Sequence, residues 1–158
     1  MKTGIKVADL MTRDFVSCSP ETSVLEAVKK MCKARVGSIL VKKDNRVVGI
    51  MTERDVLFAL SKKHDLRGVK VKDIMTKRLV TISPTKDIYD AILLMKKKYK
   101  RRLPVVEGKE VVGLITVRDI IKVYPSLFDV WAEAIRIKEE TEKIKRAGSE
   151  EEYYEKLK

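Results

Sequence analysis

The stretch GIMTERD at residues 49–55 returns as GLITVRD at residues 113–119, and this repetition decides the fold. The surrounding sequence repeats as well, because residues 7–60 align with residues 71–124 at a constant shift of 64 positions without a gap. A repeat of this length is a complete supersecondary unit that is used twice. The sequence therefore predicts two similar units in one pseudo-symmetric body, with the cleft between them as the working surface.

Each unit is predicted to have the element order β-α-β-β-α, which is a mixed α/β (α+β) fold. Ser23 and Glu26 have the spacing of a capping box, and apolar residues then recur at helical spacing. Asp44 and Asn45 mark a hairpin turn. Second helices begin at the threonines of the repeated motif. The predicted strands lie at residues 15–18, 36–42, 46–51, 79–82, 103–106 and 110–115.

The remainder of the chain is predicted to be helical. This divides the chain into repeat one at residues 1–64, repeat two at residues 65–125 and a C-terminal helical extension at residues 126–158. Gly148 is expected to end the helix. The extension has one apolar face that must pack against other apolar residues. The partner is either the two repeats of the same chain or a second subunit, and the sequence leaves that choice open. This face consists of Leu127, Val130, Trp131, Ala134 and Ile137.

Composition limits the classes of function. The 158 residues suffice for one domain with a core. No apolar run approaches the roughly 20 residues of a membrane span, and no secretory signal is visible at the N-terminus, so a cytoplasmic protein is expected. His64 is the single histidine, and Cys18 and Cys32 lack the spacing of a zinc site. Neither a metal nor an enzyme is therefore expected. The absence of Gln, together with 37% charged residues, points to a thermophilic source.

Positive charge is concentrated in the repeats. The chain carries a net charge of +12, while residues 126–158 hold seven basic and nine acidic residues, so residues 1–125 carry +14. An anionic ligand or partner is expected for such a body. Nucleic acid is an alternative partner. However, aromatic residues make up only 6% of the chain and no nucleic-acid-binding motif is visible, so such binding is expected to be weak and nonspecific.

Three residues of the repeated motif Gly-x-x-Thr-x-Arg-Asp, the glycine, the threonine and the aspartate, each have a physical use. The glycine allows close approach of a ligand or of another backbone. The threonine lies where strand becomes helix, so that its hydroxyl and the free helical N–H groups can bind phosphate. The aspartate can accept hydrogen bonds from both hydroxyls of a ribose. Alternatively, Thr-x-x-Asp is a helix capping box, although capping alone requires neither the glycine nor the arginine.

Several spaced features together resemble tandem cystathionine-β-synthase (CBS) domains over about residues 5–124. They are an Asp-Leu/Ile-Met-Thr opening, a Ser-Pro before the first helix and the closing motif, each present in both units. The resemblance implies two clefts related by a pseudo-two-fold axis. It also implies an adenosine-containing ligand (AMP, ADP, ATP or S-adenosylmethionine), a homodimer, and a role in regulating another protein. No cofactor is required beyond that regulatory ligand.

The resemblance also implies the ligand-binding residues. The motif residues would contact phosphate or ribose, and the base would lie against segments of both repeats. Family sites often combine the motif of one repeat with the base segment of the other, which joins Asp55 to Arg101 and Arg102, and Asp119 to Gly37 and Ser38. Phosphorylated ligands are then expected to prefer the Asp55 side. The implied set is Ser17, Gly37, Ser38, Thr52, Asp55, Thr81, Ile82, Arg101, Arg102, Thr116 and Asp119.

Overall fold

The computed structural model describes residues 1–155, and within them the predicted mixed α/β fold of two repeats with a C-terminal helix is confirmed. The elements are, in chain order, α1 (Val7–Leu10), β1 (Ser17–Cys18), α2 (Val24–Ala34), β2 (Ser38–Lys43), β3 (Arg46–Thr52), α3 (Glu53–Lys63), α4 (Val71–Ile74), α5 (Ile88–Lys98), β4 (Arg102–Glu107), β5 (Glu110–Thr116), α6 (Val117–Val123) and α7 (Leu127–Glu155). The short helices α1 and α4 were not part of the sequence prediction.

The hairpins β2–β3 and β4–β5 form the centre of each repeat. Both are antiparallel, and the strand β1 adds to β2 in parallel, giving a sheet of order β1-β2-β3 beside a two-stranded sheet. The turn between β2 and β3 uses Asp44 and Asn45 with φ of 52° and 58°. Left-handed conformations at both turn positions match the twist of the flanking strands, and these residue types tolerate them.

The first strand of each repeat is shorter than predicted. The run 15–18 contracts to Ser17–Cys18, and the run 79–82 contracts to a single parallel bridge between Ile82 and Val105. The difference between the repeats has a cause in the sequence. Leu40 donates its N–H to the Val16 carbonyl, whereas the aligned residue of the second repeat is Pro104, which has no N–H to donate.

The repeats interlock through the segments that precede their first strands, here called the leading segments (residues 5–12 and 69–76). Thr12 pairs with Leu114 of the second repeat through hydrogen bonds of 2.9 and 3.0 Å, and Thr76 pairs with Ile50 of the first repeat through bonds of 2.9 and 3.1 Å. Val7 is correspondingly buried in the core of the second repeat, and Val71 and its neighbours in the core of the first. Each core is therefore completed by the leading segment of the other repeat.

The helix α7 packs on its own chain, against α5 and α6. Leu127 and Ala134 are buried, and Glu133 forms an ion pair with Lys96 of α5. This cover ends before Ile137, which is 49% exposed. The helix continues through Gly148, so the predicted end there is wrong. A single interior glycine costs a helix only about 1 kcal/mol, which its neighbours can offset. None of the described helices is long and apolar enough to cross a membrane.

Candidate functional site

Two cavities lie between the repeats, and each contains one Thr/Asp pair of the repeated motif. The cavity with Thr116 and Asp119, here called the Asp119 cavity, has a volume of about 840 Å³. The cavity with Thr52 and Asp55, the Asp55 cavity, has a volume of about 420 Å³. Both fall within the range of roughly 300–1,000 Å³ that small-molecule sites occupy.

Each cavity combines elements of both repeats in a crossed manner. The Asp55 cavity is bordered by Arg101 and Arg102 of the second repeat, and the Asp119 cavity by Gly37 and Ser38 of the first. The structure therefore brings together the residues that the resemblance pairs. It also places Arg101 and Arg102 along the border of the Asp119 cavity, so these guanidinium groups are not confined to the Asp55 side as the sequence suggested.

Three residues of the implied set, Ser17, Thr81 and Ile82, border neither cavity. Thr81 is exposed to solvent, and Ile82 belongs to the core of the second repeat. The preceding valines, Val16 and Val80, form the cavity walls instead. Because successive side chains of an extended segment point to opposite faces, the interior position of Ile82 turns Thr81 outward and leaves Val80 on the inner side. Both valines belong to the segments Val16-Ser17-Cys18 and Val80-Thr81-Ile82, against which the resemblance places the base, and this alternation selects them within those segments.

The Thr/Asp pairs form capping boxes in both repeats, as the alternative interpretation of the motif proposed. The Thr52 N–H donates to Asp55 Oδ2 at 2.8 Å, and the Asp55 N–H donates to Thr52 Oγ1 at 3.4 Å. The corresponding distances for Thr116 and Asp119 are 2.9 and 3.2 Å. Each threonine hydroxyl also donates to the same Oδ2 oxygen.

Capping leaves one oxygen of each aspartate for another donor. All recorded hydrogen bonds of the Asp55 and Asp119 side chains use Oδ2, so within the described residues Oδ1 accepts none. Both side chains are only partly buried and border their cavities. The capping box thus orients the carboxylate without consuming its capacity to bind a hydroxyl group.

The helix starts offer fewer free amides than the sequence suggested. The Glu53 N–H, the first of α3, donates to the Gly37 carbonyl at 3.2 Å, and the Val117 N–H of α6 donates to the Arg101 carbonyl at 2.9 Å. The third amide of each helix is bonded to the capping threonine. A phosphate in either cavity would therefore depend on cationic side chains more than on helical N–H groups.

The motif glycines accommodate methionines of the leading segments. A Cβ atom added at Gly49 would lie 3.0 Å from Met75 Cγ, and one at Gly113 would lie 2.6 Å from Met11 Sδ and 3.1 Å from the Thr12 carbonyl oxygen. Close approach is thus the reason for glycine at both positions. The approaching group is the other repeat's leading segment, and the interpretation that a ligand approaches there is wrong.

Cationic side chains surround both cavities. Arg54 and Arg118 belong to the repeated motif, although no role was predicted for them. Lys138 and Trp131 come from α7, which lies outside the repeats. The Asp55 cavity is bordered by the cations Arg54, Arg78, Lys100, Arg101, Arg102 and Lys138 and by the carboxylates Glu53 and Asp55. The Asp119 cavity is bordered by Arg35, Arg101, Arg102, Arg118 and Lys122 and by Asp14 and Asp119.

The two cavities differ in charge at aligned positions. Arg78 borders the Asp55 cavity where the aligned residue, Asp14, borders the Asp119 cavity. Arg102 is half-buried; burial lowers the pKa of its guanidinium group, partly opposed by the nearby carboxylates of Glu53 and Asp55. An arginine remains charged at neutral pH even so. The smaller cavity therefore holds the greater excess of positive charge.

Comparison with known proteins gives a consistent result. A family model of the CBS domain matches residues 7–62 and 71–126. The uncharacterized protein MK0525 of Methanopyrus kandleri is 32% identical over 127 residues, which are 78% of this chain and 65% of that protein. The inosine-5'-monophosphate dehydrogenase of Thermoplasma acidophilum is 34% identical over 113 residues, which are 71% of this chain and 22% of that enzyme. The chain thus spans less than two thirds of the length of these two relatives.

A solved structure matches most of this chain. It is the CBS domain protein PAE2072 from Pyrobaculum aerophilum complexed with AMP. It is 26% identical in sequence, superposes with a TM-score of 0.71, and matches 82% of this chain and 99% of that chain.

Proposed function

Because the chain belongs to the CBS domain family, we propose that it is a regulatory binding module, not an enzyme, whose ligand is an adenine nucleotide held between its two repeats. The observation that carries this proposal is the pair of crossed, cation-lined cavities. Each combines an oriented aspartate, which has one oxygen free, with guanidinium groups of Arg101 and Arg102. The AMP complex of the related protein with the same fold supports the choice of ligand.

We propose a role for each wall. In the Asp55 cavity, Asp55 Oδ1 would accept the ribose hydroxyls, while Val80 and Pro104 supply apolar surface for the base. Arg101 and Arg102 would contact the phosphate. Hydrogen bonds to charged groups contribute about 1.5–3 kcal/mol each, so a few such contacts account for micromolar affinity.

Charge favours phosphorylated ligands over S-adenosylmethionine. Each cavity has more cations than carboxylates along its border. A sulfonium group would meet this positive potential unfavourably, whereas a phosphate would be attracted to it. We therefore rank AMP, ADP and ATP above S-adenosylmethionine.

Isothermal titration calorimetry on ligand-stripped protein tests the proposal. We expect binding of at least one of AMP, ADP and ATP, with weaker binding of S-adenosylmethionine. Asp55→Asn and Asp119→Asn should each weaken binding in one cavity. Asp9→Asn is a matched control, because Asp9 accepts the Lys6 N–H at the start of α1 as Asp55 accepts that of Thr52, but borders neither cavity. The absence of heat and of thermal stabilisation with all of these ligands would overturn the proposal.

We further propose that the protein acts as a homodimer and regulates a separate protein. Two helices that follow the repeated motif present apolar side chains to solvent: Leu57 and Phe58 of α3 are 68% and 62% exposed, and Val123 of α6 is 51% exposed. Pairing of these surfaces between two copies would remove them from water.

A further inference from the structure

The C-terminal helix α7 contributes to the site although it lies outside the repeats. Lys138 borders the Asp55 cavity. A third cavity of about 220 Å³, here called the annex, lies between α3, the end of α5 and α7. The annex and the Asp55 cavity share Arg54, Tyr99, Lys100, Arg101 and Lys138 as wall residues. The two spaces therefore adjoin, and a ligand bound in the Asp55 cavity can extend into the annex.

The shared wall is unusually rich in unpaired cations. Among the described residues, Arg54, Lys100 and Arg101 make no ion pair, and neither do Arg78 and Arg102 deeper in the Asp55 cavity. Glu139 and Glu142 of α7 also border the annex, where they face four cations. In both spaces the cations outnumber the carboxylates, so a net positive charge remains, and a polyanion placed among the cations relieves their mutual repulsion.

Lys138 is held beside this wall by its neighbours. Its Nζ lies 5.8 Å from the centroid of the Tyr99 ring and 3.9 Å from Glu142 Oε1. Tyr99 is itself fixed as the left-handed residue that ends α5, with φ of 51°. One helical turn earlier, Ala134 is buried against the body. The ammonium group is thus kept near the annex while 47% of its side chain remains exposed.

We propose that the annex receives the phosphate tail of a nucleoside di- or triphosphate, and that Lys138 contacts the phosphates beyond the first. The Asp55 cavity then selects nucleoside polyphosphates over monophosphates. This inference rests on the proposed nucleotide-binding function. The ribose is held by Asp55 and the first phosphate by Arg101 and Arg102, so that the tail reaches Lys100 and Lys138.

Calorimetric titration of adenosine, AMP, ADP and ATP in metal-free buffer tests the inference on the full chain. We expect Lys138→Ala to lower the affinity for ATP by about tenfold or more, because one charge-assisted contact is lost. The affinity for AMP should change by less than about twofold. Lys138→Arg should retain ATP affinity. Lys143→Ala is the matched control, because Lys143 lies on the same helix, is exposed and borders none of the three cavities.

The outcomes separate this inference from the function on which it rests. If the wild-type protein binds AMP and ATP, and Lys138→Ala leaves ATP unchanged or weakens both nucleotides equally, the annex does not receive the phosphate tail and only this inference fails. The same holds if ATP loses no more affinity in Lys138→Ala than in Lys143→Ala. If the wild-type protein binds no nucleotide, the proposed function and this inference fail together.

Discussion

The carboxylate of Asp87 binds Thr3 at two points, accepting hydrogen bonds from its N–H at 3.0 Å and from its hydroxyl at 2.8 Å. The same carboxylate accepts the N–H groups of Gly4 and of Tyr89, the latter in the first turn of α5. Asp87 is only 3% exposed. One buried side chain therefore caps a helix of the second repeat and fastens the start of the chain to it.

Stability is expected to depend on pH through Asp87. Burial by itself would raise the pKa of this carboxyl group, but the hydrogen bonds from Tyr89, Thr3 and Gly4 outweigh it and lower the pKa to about 2. The folded state therefore gains stability from the ionised form above pH 4, and this gain is lost as the pH falls from about 4 through about 2. Asp87→Asn should lower the free energy of unfolding by about 1–2 kcal/mol at pH 7 and by much less near pH 2.5.

Urea unfolding at both pH values measures this difference. Asp90→Asn serves as the control, because Asp90 lies in the first turn of the same helix but is exposed. An equal loss of stability for Asp87→Asn at pH 7 and pH 2.5 would contradict the ionisation argument.

The glycine of the repeated motif is expected to be intolerant of a methyl group. Gly113→Ala would place Cβ against Met11 and against the Thr12 carbonyl. Overpacking of this kind costs about 1–3 kcal/mol. In the background of Met11→Ala, the cost of Gly113→Ala should fall, because the sulfur no longer occupies the space. A double-mutant cycle by thermal unfolding gives this coupling, and additive effects would show that Met11 and Gly113 do not interact.

Arg102→Ala is expected to separate phosphate binding from nucleoside binding. Its guanidinium group borders both cavities, and a lost charge-assisted contact corresponds to a roughly tenfold to hundredfold change in affinity. We expect Arg102→Ala to lower the affinity for AMP by that amount and the affinity for adenosine much less. Ser38→Ala should have little effect on the affinity of the tighter site. Calorimetry on the three proteins provides the measurement. Equal loss of AMP and adenosine would assign Arg102 a structural role.

The tighter site for phosphorylated ligands is expected to be the Asp55 cavity. It has Arg78 where the Asp119 cavity has Asp14, so its potential is more favourable to anions. Asp55→Asn should therefore remove the tighter AMP binding step, and Asp119→Asn the weaker one. The reverse result would assign the tighter site to the larger cavity.

Self-association is expected to depend on the exposed face of α3. Phe58→Asp should convert the proposed dimer into a monomer in light scattering at tens of micromolar, because a charge would replace an apolar contact. Ile144→Asp is the control, since Ile144 is 71% exposed and belongs to α7 and not to α3. A monomeric wild-type protein would reject the dimer outright.

Much of the architecture could be predicted from the sequence, because each local pattern occurs in both repeats. The hairpin positions, the helix starts and the Thr/Asp pairs are local patterns that occur twice. The pairing of the motif of one repeat with the base segment of the other was predicted from the resemblance alone. The methionine at the motif glycine could not be found this way, because the contact joins Met75 to Gly49 across a repeat boundary. The reduction of the first strand of repeat two to a single bridge could have been predicted from Pro104, which has no N–H to donate.

The residues that α7 contributes to the cavities could not be predicted from the sequence. The helical spacing of Trp131 predicted that it lies on an apolar face of α7. That spacing does not indicate that Trp131 also borders the Asp119 cavity. Nothing in the sequence indicated a binding role for Lys138, because one lysine among many on a polar helix resembles a solvated residue. Packing of α7 on α5 and α6 determines both positions, and this packing depends on tertiary contacts that no repeat duplicates.

The exchange of the leading segments has a consequence for the origin of the chain. The leading segment of each repeat completes the core of the other, so the contacts within this one chain are those that two copies of a single repeat would make by domain swapping. A shorter ancestor of one repeat could thus have assembled as a symmetric swapped dimer. Joining two such copies end to end would turn that intermolecular exchange into an intramolecular one, and positions 14 and 78 would no longer have to carry the same residue.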